Sequence, residues 1–174
     1  MLAGSAVVAL SAQIQVPLWP VPMTGQTFAV LLVGIAFGWR LGAATLLLYM
    51  AEGAIGIPVF AKAAAGPAVI MGPTGGYILG FVLAAAVVGY LAERGWDRSI
   101  WRAALAMLVG NLVIYLLGVP WLAAYLSSVG VERPLQAALT SGLLPFLFGD
   151  ALKLALAACL LPAAWSLLGG ARRE

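Results

Sequence analysis

Residues 101–124 read "WRAALAMLVGNLVIYLLGVPWLAA". The one charge, Arg102, stands at the start. Beyond it the stretch is apolar for longer than the about 20 residues a helix needs to cross a hydrocarbon layer. Inside it, Asn111 and Tyr115 lie one helical turn apart and so share a face. Polar groups of this kind contact a substrate or bond a neighbouring helix, and both roles are open here.

The rest of the chain agrees with that stretch. Of 174 residues, 64% are hydrophobic and 9% charged, against about 25% charged in a soluble domain. So few charges cannot clothe a water-facing surface, which predicts a protein of the lipid bilayer. Histidine is absent and Cys159 is the single cysteine. That excludes a disulfide within the chain and the usual metal clusters, and no cofactor or metal is expected. In its apolar run, Cys159 reads as a small packed residue. The net charge of +3 comes from scattered bases, so no nucleic-acid partner is expected.

Proline, glycine and charge clusters cut the chain into six apolar segments, at roughly 2–16, 25–39, 41–57, 75–93, 101–124 and 143–168. The expected fold is an all-α membrane protein of six transmembrane helices, forming a single integral-membrane domain over residues 1–174. The first segment has no basic lead, so a cleaved secretory signal is not expected. Arg40, Arg94, Arg98, Arg102, Arg172 and Arg173 fall on one side if both termini share it, and the other side holds Lys62 and Arg133. The positive-inside rule then puts both termini in the cytoplasm.

Two outer connections stand out. "PLWPVPMTGQT" (Pro17–Thr27) and "VFAKAAAGPAVIMGPTG" (Val59–Gly75) are rich in proline and glycine. Irregular backbone near membrane depth survives only where protein or a cavity satisfies its polar groups. These first and third loops are therefore expected to fold inward and cap a ligand cavity. Thr24, Gln26, Thr74 and Tyr77 are expected to point into it. A stretch over 131–141 reads as a short outer helix with Pro134 in its first turn. Trp19, Trp121 and Trp165 suit the membrane interfaces. Glycines at 34, 38 and 42, and at 72, 76 and 80, have the small-residue spacing that brings helix backbones together. The two halves show no sequence repeat, unlike the inverted-repeat transporters.

The last segment opens "LPFLFGDALKLALAACLL" over 144–161, with Asp150 and Lys153 on one helix face. One charge at that depth costs about 2.5–3.5 kcal/mol on insertion scales. An i,i+3 ion pair returns only about 0.2–0.5 kcal/mol. The pair does not repay its own insertion, so a ligand or ion path is expected to use it. An acid and a base together suit a small ligand with N–H donors and a carbonyl or carboxylate. Glu52, near the outer end of the third segment, either lines the same site or caps loop groups. "MGPTGGY" lacks the Lys-Ser/Thr of a P-loop, and no nucleophile–base motif occurs. Binding or transport is expected, not an enzyme.

"PVPMTGQT", "LYMAEGAIGIPVF", "MGPTGGYILGF" and "GDALK" succeed one another as in the biotin-specific membrane subunit of energy-coupling factor (ECF) transporters. The chain resembles that family from about Gln13 to Leu168. The resemblance implies a six-helix, high-affinity biotin-capture subunit in a bacterial cytoplasmic membrane. Its site lies near the outer face, between helices four to six and the first and third loops. Asp150 and Lys153 match the family's biotin-contacting pair, Tyr77 a position near the ligand, and Gln26 and Thr24 the lid motif. Asn111 and Tyr115 join these candidates on physical grounds, as does Thr74. The implied partners are a transmembrane coupling subunit and two cytoplasmic ATPase subunits. Helix one of such subunits docks through Ala-x-x-x-Ala, where this chain has Ser5-x-x-x-Ala9. Lys153 would either neutralise the carboxylate tail of biotin or join Asp150 on its urea, and the sequence leaves both orientations open. The alternative is a self-sufficient ion- or proton-coupled carrier that titrates Asp150 and Glu52.

Cysteines placed at 94 or 98 (Arg94→Cys, Arg98→Cys) are expected to resist a membrane-impermeant thiol reagent added outside intact cells. Rapid labelling there would reverse the topology.

Overall fold

Gly38 turns one long apolar run into two helices. In the computed structural model, which describes residues 1–151, helix α2 (Gln26–Ala54) holds a non-helical residue at Gly38, with φ 74° and ψ 176°. That region of backbone space belongs almost entirely to glycine. In a straight helix Gln26 and Tyr49 would lie about 35 Å apart. Instead the Gln26 amide donates to the Tyr49 hydroxyl at 2.6 Å. The chain therefore folds back into a first arm over 26–37 and a second over 39–54. Glu93 closes the turn by accepting a hydrogen bond from the Trp39 N–H at 3.1 Å. A carboxylate is favoured there because the start of a helix presents unpaired N–H groups and a positive dipole end.

Ahead of this hairpin, helix α1 (Leu2–Gln13) leads into two short antiparallel strands, β1 (Gln15–Val16) and β2 (Met23–Thr24). Gln15 pairs with Thr24 and Val16 with Met23. The expected first segment ran to 16, but the helix stops at Gln13. Pro17 drives the residue before it into extended backbone, and the strand takes over. After α2 come α3 (Pro67–Met71), α4 (Gly75–Glu93), α5 (Ile100–Ser128) and α6 (Pro134–Gly142). A further helical run covers 144–151. The third apolar segment ends three residues short of its expected limit at 57, because Gly56 takes φ 103° and Pro58 comes soon after. The fourth keeps its expected bounds. The fifth runs on to Ser128 with Pro120 inside it, which packed membrane helices tolerate. The remainder of the sixth segment, with Lys153, Cys159 and Trp165, lies outside the described residues.

By residue count, α2, α4 and α5 are apolar and long enough to cross a membrane. α4 is the central element, packed on α2 along one side and α5 along the other. The close approaches run through glycine. A Cβ on Gly34 would stand 2.7 Å from the Ala85 carbonyl oxygen, and one on Gly89 2.5 Å from the Gly38 carbonyl carbon. Gly76 and Gly80 meet the backbone of α5 at Leu117 and Ile114. Gly38 and Gly72 depart from the expected stripes: the first makes the turn, and the second lies in the loop before α4. α5 buries Ala106, Met107, Gly110 and Ile114 yet exposes Leu105, Leu108, Leu112 and Leu116. A helix that is apolar on its buried and its exposed sides suits a bilayer. The chain is membrane-integral.

Gly89→Val is expected to lower the thermal stability of the detergent-purified protein by about 1–3 kcal/mol, since the backbone of the α2 turn cannot yield to the added carbons. An unchanged melting temperature would show that α2 and α4 do not approach so closely.

Candidate functional site

Thr24 and Gln26 stand where β2 passes into α2. The Thr24 hydroxyl accepts from the Gln26 backbone N–H at 3.3 Å and donates to its side-chain oxygen at 3.2 Å. This local turn aims the Gln26 amide across the hairpin at Tyr49. The Tyr49 hydroxyl in turn donates to the Val59 carbonyl at 3.2 Å. One chain of hydrogen bonds thus ties the first loop, the second arm of α2 and the third loop together. Tyr49 also meets Phe60 edge to face, with ring centroids 5.5 Å apart.

Between these parts lies a cavity of about 170 Å³, more than ten times the room one ordered water needs. Val21, Pro22 and Thr24 wall it from the first loop, and Phe60, Lys62 and Thr74 from the third. Gln26, Thr27 and Tyr49 of α2, Tyr77 of α4 and Tyr115 of α5 complete the wall with Phe146. Thr74 donates to the Val69 carbonyl at 3.3 Å, closing the turn before α4. Tyr77 stacks on Phe146 at 6.4 Å, meets Tyr115 edge to face, and donates to the Gly142 carbonyl at 2.8 Å. The chamber is aromatic and apolar with a few fixed polar groups, as small-molecule pockets are.

Asp150 stands behind that wall. It is 4% exposed. It accepts hydrogen bonds from Tyr115 and, at 3.4 Å, from the Thr27 hydroxyl. Its other side borders a second cavity of about 530 Å³ between α5, α6 and the 144–151 helix, half of whose lining residues are leucines. Asn111 lines this second cavity, not the first, and its Oδ1 is buried with no hydrogen-bond partner among the described residues. Tyr115 borders both spaces.

Five of the expected site residues, Thr24, Gln26, Thr74, Tyr77 and Tyr115, thus share one wall, with Asp150 one hydrogen bond behind it. Asn111 is apart from them, and Lys153 lies outside the described residues. Glu52 leaves the cavity altogether: it accepts a hydrogen bond from Ser5 of α1. Ser5 is 1% exposed, so it belongs to the α1–α2 contact and cannot be half of an outward docking motif. Trp121 donates its indole N–H to the Gly72 carbonyl at 2.8 Å and pins the third loop. Sequence reasoning missed Thr27, Tyr49, Lys62 and Phe146. Thr27 directly follows Gln26 of the lid motif, and its polar side chain was the available signal. Tyr49 and Phe146 sit in apolar runs and carried none.

The BioY family profile matches residues 1–170. A probable biotin transporter BioY of Pyrococcus horikoshii is 43% identical over 152 residues, covering 87% of this chain and 85% of its own. The biotin transporter BioY of Thermotoga maritima is 38% identical over 154 residues, covering 88% and 86%. Among solved structures, the fold is similar to that of the S-component for biotin from an ECF-type ABC transporter. Its TM-score is 0.77 at 22% identity, covering 94% of this chain and 87% of that one.

Tyr115→Phe removes a donor from a buried carboxylate. It is expected to destabilise the ligand-free protein by about 1–3 kcal/mol, read from melting in detergent. Wild-type stability would mean that Asp150 does not depend on the bond.

Proposed function

The chain belongs to the BioY family, and from that membership we propose that it captures biotin and serves biotin uptake as the substrate-specific subunit of an ECF transporter. It acts as a transporter component and not as an enzyme. The observation that carries this is the walled chamber with a buried acid behind its tyrosines. Biotin brings a urea with N–H donors, an apolar bicyclic body and an anionic tail. A mostly apolar wall with hydroxyl, amide and carboxylate groups at fixed places answers each of these.

In this proposal one integral-membrane domain crosses the cytoplasmic membrane six times, with both termini inside. The two arms of α2 count as separate spans, and the helix beginning at 144 is the last. The first and third loops cover the chamber. Their support is the hydrogen-bond chain from Thr24 through Gln26 and Tyr49 to Val59, which makes the two loops one unit. Asp150 and Lys153 are the charged contacts to biotin, with Tyr77, Tyr115, Thr74, Thr24 and Gln26 around it. Asn111 reaches the ligand only if the ligand extends past Tyr115 toward the second cavity. A transmembrane coupling subunit and two ATPase subunits drive release. The face of α1 open to them carries the exposed Ala3, Ala6, Val7 and Leu10.

A self-sufficient carrier titrating Asp150 and Glu52 fits less well, because Glu52 is engaged by Ser5 away from the chamber. Uptake that needs added ATPase subunits, with binding unchanged between about pH 5 and 8, supports the first reading. Uptake that follows a proton gradient without them would support the carrier.

Native extraction followed by mass spectrometry is expected to show biotin co-purifying with the protein. Asp150→Ala and Lys153→Ala are each expected to weaken biotin binding at least tenfold, about 1.4 kcal/mol, by calorimetry in detergent. Wild-type affinity in both variants would make the pair structural.

A further inference from the structure

Lys62 is the only charged side chain among the described residues lining the first cavity. It is exposed, whereas Gln26, Tyr77 and Tyr115 on the same wall are nine-tenths or more buried. Lys62 therefore marks where the chamber meets solvent. Its ammonium forms no hydrogen bond or ion pair among the described residues.

The backbone that presents Lys62 is unusual and firmly held. Lys62 and Ala63 take φ 62° and 52° in succession. Left-handed backbone is costly for residues with a Cβ and persists only where the surroundings enforce it. Here they do. Gln13 at the end of α1 donates its amide to the Phe60 carbonyl at 3.0 Å and accepts from the Ala63 N–H at 3.0 Å. Phe60, 1% exposed, is wedged against Tyr49. A strained turn, clamped from both ends, holds a cation at the mouth.

Asp150 lies behind Thr27 and Tyr115. An anionic group on a ligand is drawn to the cation at the mouth. We propose that Lys62 is the subsite for the carboxylate of the bound ligand, so that the tail lies at the opening and the ring end faces Asp150. This takes biotin capture as its premise. It also chooses between the two orientations that the sequence leaves open: with the tail on Lys62, Lys153 is left to act with Asp150 at the ring end. Because Lys62 is at the rim, its charge acts chiefly by raising the association rate.

The test compares biotin with biotinamide, its neutral carboxamide, on the full chain in detergent. The wild-type protein is expected to prefer biotin about three- to fivefold, as an exposed ion pair allows. Lys62→Gln should abolish that preference by weakening biotin alone, and the salt dependence of biotin association should flatten. Lys62→Gly removes the charge while relaxing the backbone, and should behave alike. Wild-type preference retained in both variants would overturn the assignment while leaving biotin capture intact. Equal loss of both ligands in Lys62→Gln with recovery in Lys62→Gly would reduce Lys62 to a backbone role and also overturn it. A wild-type protein that binds neither compound would overturn both proposals.

Discussion

Irregular backbone at membrane depth must find its hydrogen bonds within the protein or in a water-filled cavity. That constraint organises the cavity end of this molecule. The third loop would otherwise leave carbonyls bare, and side chains from three helices reach for them. Gln13 of α1 takes Phe60, Tyr49 of α2 takes Val59, and Trp121 of α5 takes Gly72. Tyr77 of α4 does the same for Gly142 at the end of α6. Each bond serves local chemistry, and together they tie the third loop to α1, α2 and α5 beside one hollow.

The helix bundle obeys a packing rule along the whole of α4. α4 can serve as a common wall for α2 and α5 only where side chains are missing, and Gly34, Gly76, Gly80 and Gly89 supply those gaps. Dispersion between closely apposed backbones replaces the hydrophobic driving force that lipid does not provide. The fold-back at Gly38 belongs to the same contact, since Glu93 at the end of α4 receives the Trp39 N–H. The turn in α2 and the end of α4 thus form one joint. This joint lies beside Arg40 and Arg94, which stack on Trp39 and Tyr90. The arginine-rich connections therefore gather at the end away from the cavity loops.

Much of this was legible in the residues. Apolar length and the scarcity of charge point to a membrane protein, and the bounds of α4 come from glycine and charge signals, while the short outer helix read over 131–141 begins at Pro134. Errors fell where a neighbour outvoted local pattern. Pro17 shortened α1, and Gly56 with Pro58 shortened α2. The polar residues of the loops drew attention to Thr24, Gln26, Thr74 and Tyr77, because a polar side chain in an apolar chain needs a reason. Tyr49 and Phe146 escaped because an aromatic ring in an apolar run is indistinguishable from core packing. Asn111 lines the second cavity and not the first, because its face was legible but the space opposite that face was not.

The order of residues fixes the solvent this chain prefers, its apolar segments and the asymmetry of its charges. Each of these depends on local composition and spacing. Which groups meet depends on how the helices pack. Thr27 reaches Asp150 across 123 positions of chain, Ser5 engages Glu52 across 47, and Gln26 finds Tyr49 because Gly38 reverses the helix. Such partners are chosen by helix packing and by the need to pair buried polar groups. Neither choice leaves a periodic trace in the order of residues.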